Sequence, residues 1–388
     1  MNLNRAKPDS PSILHKAGHS VFRVIIVENT EMIRVIMMVV GLAGCSAPVP
    51  IESLPGSALV VYGRGLAGGG RMELIGSASH VGFSFTGKTC EVDVLVPGEA
   101  AHNYVQYTLD GVYAEKLRIA GGDMRGFVIK ASGGGLHQIW VYKATEAMAG
   151  PVLIVGVKGD GLKPLKEPAG PVIEFIGNSI TCGAQSDTSV SPCGVGDYVD
   201  HHNAYYAYGP RAARALGVGY MLSSVSGIGI YRNWNSDGPT MPQVYERAGL
   251  DVSDGRLWDF GKVRPAVVCI ALGTNDFSHG DGKHTRLPFD SAVFVSTYIR
   301  FVQLVKGKYP LAQIALLSSP MAGGADGLLL QRCLRAVKTG IDALYPLGKR
   351  VAVFDFAPMR AGGCGGHPSV EDHAEMAQEL APFLKGLL

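Results

Sequence analysis

The 388-residue chain has no long basic run, and its formal net charge is only +2, so nothing in its electrostatics points to nucleic acid. Charged residues make up 18% and hydrophobic residues 47%, a balance that excludes a disordered protein. The apolar stretch MIRVIMMVVGLAGC, residues 32–45, is too brief to cross a bilayer as a helix. Internal repeats and low-complexity tracts are absent, and so is the G-x-S-x-G elbow, which disfavours the α/β-hydrolase fold. His201 and His202 stand near Asp197 and Asp200 but lack the i, i+4 helical spacing and soft ligands of a convincing metal site. They read as loop residues.

What the chain does have is two successive rhythms. From about 58 to 165 short segments alternate apolar and polar residues between Gly, Asp and Pro: HVGFSFTG, TCEVDVLVPG, YVQYTLDG, GFVIKASGGG, HQIWVYKA and PVLIVGVKGD. Period-two alternation with frequent turn signals predicts an all-β sandwich or jelly roll. The stretch GDGLKPLKEPAGP, 159–171, reads as a linker. Beyond it, buried strands alternate with amphipathic helices, which predicts a parallel sheet flanked by helices. The expected strands are 171–177, 219–225, 265–273, 312–319 and 350–356, with helices near 203–216, 291–309, 327–345 and 369–387. The expected domains are therefore an extension at 1–56, a β-sandwich at 57–165 and an α/β domain at 166–388. Five such strands fit a flavodoxin-like three-layer α/β/α sandwich of strand order 2-1-3-4-5, whose switch point lies at the carboxyl ends of the first and third strands.

Three loops and one histidine meet that edge. GNSITCG (177–183) follows the first strand, SVSGIG (224–229) the second and GTNDF (273–277) the third, while AGGCGGHPSVEDH (361–373) leads into the final helix. Pro368 disfavours helical geometry at His367, and Ser369 with Asp372 has capping-box spacing, so His367 is expected on a loop's lip. Acyl transfer needs a hydroxyl nucleophile, a base within reach, and fixed donors aimed at the developing oxyanion. Ser179 would attack, His367 would shuttle the proton, and the N–H groups of Ser179 and Gly227 with the Asn275 side-chain amide would form the oxyanion hole. Each has a plainer alternative: Ser179 as a helix N-cap, Asn275 as a turn former. Tyr231 and Trp234 in GIYRNW can reach the crevice and offer aromatic faces to a ligand there, or else pack in the core. Trp140 is expected in the sandwich core, and His373 is expected to be solvated or to cap a helix.

Ser179, Gly227, Asn275 and His367 occur in the order and contexts of the four blocks of SGNH (GDSL-type) hydrolases, which the chain resembles. With the β-domain in front, YKATE late in it, and then IEFIGNSITCG, SGIGIYRNW, LGTNDF, KGKYPLAQI and GCGGHPSVEDH, it is similar to the acetyl xylan esterases of carbohydrate esterase family two. The likeness runs from about 57 to 388. It implies removal of acetyl groups from the sugar hydroxyls of plant polysaccharides, without metal or cofactor. Two departures stand out: Cys364 occupies the aspartate position of D-x-x-H, and Asn178 the aspartate position of GDSL. The first removes the usual partner of the imidazole, whose loss from a working triad costs roughly 10⁴ in rate. A backbone carbonyl of GGCGG could orient the ring instead, giving a Ser-His dyad as the family resemblance implies. Glu371 or Asp372 is a weaker substitute, because capping competes for it. The rival functions are a lipase or thioesterase of the same fold and a catalytically inactive glycan-binding lipoprotein.

Residues 32–45 also resemble a bacterial lipoprotein signal, with Leu42-Ala43-Gly44-Cys45 as the lipobox. The resemblance implies lipidation at Cys45, a candidate start at Met32, and an exported protein in the periplasm or at the cell surface. In such a compartment disulfides form, and Cys182–Cys364 and Cys182–Cys193 are the candidate pairs.

Overall fold

The computed structural model describes residues 52–99, 101–283 and 286–388. The expected signal segment and Cys45 lie outside the described residues. In the N-terminal part an antiparallel system of ten strands forms the sandwich. Its spine is the sixteen-residue strand His80–Leu95. Residues 80–86 pair with the strand Leu136–Lys143, and residues 89–94 with the strand Arg125–Lys130, so a single strand serves both faces. The break expected at Gly87 is therefore a bend at φ +107° and not a turn. Alternation reproduces the core: Val81, Phe83, Phe85, Val92 and Val94 from this strand are fully buried with Ile139, Val141 and Ile154. The strand Val112–Ala120 and the short strands before His80 lacked a clean alternating pattern and went unanticipated. The last strand, Val152–Pro164, pairs through Pro164 with Phe83, so the connection to the second part is shorter than the stretch read as a linker.

In the second part β1 (Val172–Gly177), β2 (Gly219–Ser224), β3 (Val267–Ala271), β4 (Gln313–Leu317) and β5 (Ala352–Phe354) form a parallel sheet in the order 2-1-3-4-5. Side chains along each strand alternate between two cores. In β3, Val267 and Cys269 face helices α1 (Tyr208–Leu216) and α4 (Val370–Lys385), whereas Val268 and Ile270 face α2 (Ser291–Lys308) and α3 (Gly324–Leu344). Strands buried on both faces read as continuous apolar runs, which is why β1, β3 and β4 were visible in the sequence, while the edge strand β5 is only half-buried. Register fixes the edge: Gly177 lies beside Ser224 on one side and Ala271 on the other. The loops that follow all three strands thus begin at one level.

The two parts are joined by buried polar groups. Arg64, fully buried, projects from the sandwich and donates to Ser223 Oγ (2.7 Å) and to the carbonyls of Arg247 (2.7 Å) and Tyr245 (2.8 Å). Glu174 of β1 accepts from Ser223 (2.5 Å) and Tyr245 (3.0 Å). A buried charge is tolerable only when paired and hydrogen-bonded, and this network satisfies both ends. Further contacts run from His102 Nε2 to Asp200 (2.6 Å) and from Lys116 to Asp187 (3.1 Å). Trp140 is half-buried, not core: its ring lies over Gly82 and against Tyr62 and His80.

Candidate active site

Asn178 follows β1 and caps the short helix Ser179–Cys182, its Oδ1 accepting the Ile180 N–H at 3.1 Å. The cap is therefore Asn178, and Ser179 is the first helical residue with its hydroxyl left for other work. His367 Nε2 lies 3.0 Å from Ser179 Oγ, although the two residues are 188 positions apart. On the other side of the ring, Nδ1 is 3.3 Å from the Cys364 carbonyl. A carbonyl can only accept, so Nδ1 carries the proton and Nε2 is the free lone pair facing the serine. Burial holds the imidazole below its ordinary pKa, against the smaller opposing effect of the backbone carbonyls at 364 and 365. Asp372 is engaged as a cap, accepting from Ser369 N (2.8 Å) and Gly362 N (2.7 Å), and the ring makes no hydrogen bond to a carboxylate among the described residues.

Gly227 sits in the turn after β2 at φ +74°, a conformation costly for any residue with a Cβ. A methyl group there would meet nothing within 4 Å, so the backbone angle, and not crowding, calls for glycine. Asn275, almost buried, donates Nδ2–H to the Ile228 carbonyl at 2.8 Å and keeps a second N–H. The next residue explains why this loop and the Gly227 loop travel together. Asp276, fully buried, accepts the N–H groups of Ile230 (3.0 Å), Tyr231 (2.9 Å) and Arg232 (3.2 Å), and burial still pushes its carboxyl up to about 6. Its role was hidden in the sequence because only the tertiary approach of the two loops supplies the donors.

Ser179, His367, Gly227, Asn275 and Trp234 line one open cleft of about 1090 Å³. Trp234 is 49% exposed there. Tyr231, expected beside it, instead packs on Phe289 and Phe294, and its hydroxyl accepts the Asp290 N–H at 3.1 Å. Core packing has claimed it. His373 is likewise neither solvated nor capping: it is fully buried, and its Nδ1 accepts the Tyr208 N–H at 3.3 Å. Both expected disulfides are also replaced. Cys193 bonds Cys364, while Cys182 is a buried free thiol whose pKa burial raises well above its ordinary value.

One participant comes from the sandwich. Glu146, the last residue of YKATE, is buried and remains below the usual carboxylate pKa, as donations from His202 and Ser226 outweigh its desolvation. It accepts the Ser226 N–H at 2.6 Å and meets His202 Nε2 at 3.2 Å and Cys182 Sγ at 3.7 Å. Lys143, also fully buried, donates to the Glu146 carbonyl at 2.5 Å, and burial pulls its ammonium down to about 7. Tyr198 stacks edge-on to His202 and donates to Ser226 Oγ at 3.1 Å. Lys143 and Glu146 belong to YKATE, where nothing local distinguishes them from ordinary strand-end residues.

A parallel sheet ordered 2-1-3-4-5 behind a β-sandwich, with a serine and an imidazole paired at its carboxyl edge, defines an SGNH-like fold. Comparisons with known proteins narrow the class. The family described as "Carbohydrate esterase 2 N-terminal" matches residues 62–168. The chain is 30% identical over 324 residues to "Cellulase/esterase CelE" of Acetivibrio thermocellus, an alignment spanning 80% of this chain and 37% of that protein. It is 28% identical over 258 residues to an "Acetylxylan esterase / glucomannan deacetylase" of Cellvibrio japonicus, covering 66% of this chain and 68% of the relative. A solved family two carbohydrate esterase from Clostridium thermocellum, in complex with cellohexaose, superposes with a TM-score of 0.75 at 27% identity, over 85% of this chain and 100% of that one. In its front domain, its relatives and its fold the chain is similar to the carbohydrate esterases of family 2, and it spans little more than a third of the length of the first of these relatives.

Proposed function

We propose that the protein removes O-acetyl groups from carbohydrate, such as acetylated xylan or a related plant polysaccharide, through a Ser179–His367 dyad. The observation that carries this reading is the 3.0 Å contact between Ser179 Oγ and His367 Nε2 in an open cleft of about 1090 Å³. Nε2 takes the hydroxyl proton as Oγ attacks the acetyl carbonyl carbon. The resulting oxyanion is met by the N–H groups of Ser179 and Gly227 and the remaining N–H of Asn275. The imidazolium then protonates the departing sugar oxygen, leaving an acetyl-serine. Water, deprotonated by the same nitrogen, attacks the acyl-enzyme, and acetate and the free hydroxyl are regenerated. The depressed His367 pKa keeps the base unprotonated near neutrality. Trp234 at the cleft mouth offers an aromatic face to a sugar ring. The family match and the names of the relatives support the acetylated substrate.

Ser179→Ala should abolish acetate release from acetylated xylan, mannan or an aryl acetate, and should also abolish labelling by a fluorophosphonate. Retained activity would refute the assignment. We further propose anchoring by a lipid on Cys45, supported by the lipobox resemblance at 42–45. Cys45→Ala should release the protein from membranes and end incorporation of labelled fatty acid.

A further inference from the structure

Residue 364 is where a triad carboxylate would stand, and its environment has been rebuilt around a backbone oxygen. The loop before His367 holds four glycines, Gly362, Gly363, Gly365 and Gly366, two of them at positive φ (+58° and +76°). Glycine-rich backbone has more conformational freedom to lose than any other, so a carbonyl in this loop is a poor orienting group unless something fixes it. Two things do. The Cys364 N–H donates to the Gln185 carbonyl at 2.8 Å, and the Cys364 sulfur is bonded to Cys193, 171 residues away. The carbonyl of the same residue faces His367 Nδ1 at 3.3 Å and accepts the His367 backbone N–H at 3.1 Å. The cross-link therefore terminates on the residue whose oxygen sets the imidazole's tautomer and direction. Cys364 is buried, but Cys193 lies on an exposed loop, so the bond can be reached from solvent.

We infer that the Cys193–Cys364 disulfide takes the place of the missing aspartate as the positioning element for His367, making the rate of the enzyme depend on the oxidation state of this bond. Reduction transfers two electrons and two protons from a dithiol reductant: the S–S bond opens to two thiols, and the dithiol closes to its own disulfide. Residue 364 then keeps only its backbone contacts, the N–H to Gln185 and the carbonyl to the His367 N–H, and the imidazole's acceptor loses its covalent tether. Cys193 and Cys364 touch no substrate and act through His367. The inference rests on the Ser179–His367 reading.

The test uses the folded, full-length chain with an aryl acetate. Treatment with a dithiol, checked by thiol counting and a thermal melt, should lower kcat about tenfold with KM within about twofold. That is far less than the roughly 10⁴ of a lost triad carboxylate, because the Gln185 contact survives. The Cys193→Ala, Cys364→Ala pair should match the reduced protein and be indifferent to reductant. Cys193→Ala combined with Cys364→Asp, which restores D-x-x-H without a cross-link, should recover most of the lost kcat. Full kcat in the reduced, still-folded parent would overturn the inference, as would a loss that merely follows unfolding, or an aspartate variant no better than the alanine pair. Activity in Ser179→Ala would instead sink the dyad reading, so the two failures are separable.

Discussion

Glu146 Oε2 lies 2.6 Å from the backbone nitrogen of Ser226, so a carboxylate from the β-sandwich holds the turn that presents Gly227. The same side chain touches Cys182, three residues past Ser179, and tethers both sides of the proposed oxyanion hole to the neighbouring domain. Glu146→Ala should lower kcat by about 10- to 10²-fold with little change in KM, the effect of misplacing one oxyanion donor. Glu146→Gln keeps an acceptor for Ser226 and should retain most of that rate. Steady-state kinetics on an aryl acetate decide it, and equal loss in both variants would point to charge instead of geometry.

The pH profile follows from the burial of His367. Its pKa is held below the ordinary value of 6.5, and the base works only when neutral. The acid limb of the activity profile should therefore have its midpoint below pH 6.5. A kcat/KM profile whose acid limb has its midpoint at or above 6.5 would contradict this.

Trp234 and Tyr231 should separate cleanly. Trp234→Ala removes an exposed aromatic face and should raise KM on acetylated polysaccharide several-fold, while an aryl acetate is turned over normally. Tyr231→Ala empties a site packed by Phe289 and Phe294 and should cost stability, on the order of 3 kcal/mol, read as a fall in melting temperature.

His373 makes stability itself pH-dependent. Burial pulls its pKa down to about 3, against 6.5 in the unfolded chain. Between those values the unfolded state binds a proton that the folded state refuses, so stability falls as pH drops through 6.5, at about 1.4 kcal/mol per pH unit for this group. His373→Asn should flatten the acid side of a plot of unfolding free energy against pH. An unchanged slope would exclude the linkage.

Much of the fold could be read from the chain because its signals are local. The strands β1, β3 and β4 are apolar runs, the long helices carry their own periodicity, and Ser369 with Asp372 forms the expected capping box. The positions of Ser179, Gly227, Asn275 and His367 followed from the rule that loops after parallel strands share an edge. What escaped was decided by tertiary approach. No spacing announces that Asp276 will collect the N–H groups of the neighbouring loop, that Glu146 will cross a domain boundary, or that Cys193 will find Cys364. Tyr231 and Trp234 differ by three positions and looked equivalent; only the presence of Phe289 and Phe294 turned one inward.

The Arg64–Glu174 network bears on how this protein can be handled and how it could have diversified. A fragment starting at residue 166 would strip Ser223 of its guanidinium donor and Glu174 of the nearby positive charge, leaving a buried carboxyl in the first strand of the sheet without a counter-charge. Such a fragment should be insoluble or poorly folded even though every residue of the dyad is present. Swapping front modules between relatives would then succeed only where the incoming sandwich brings its own arginine to that spot.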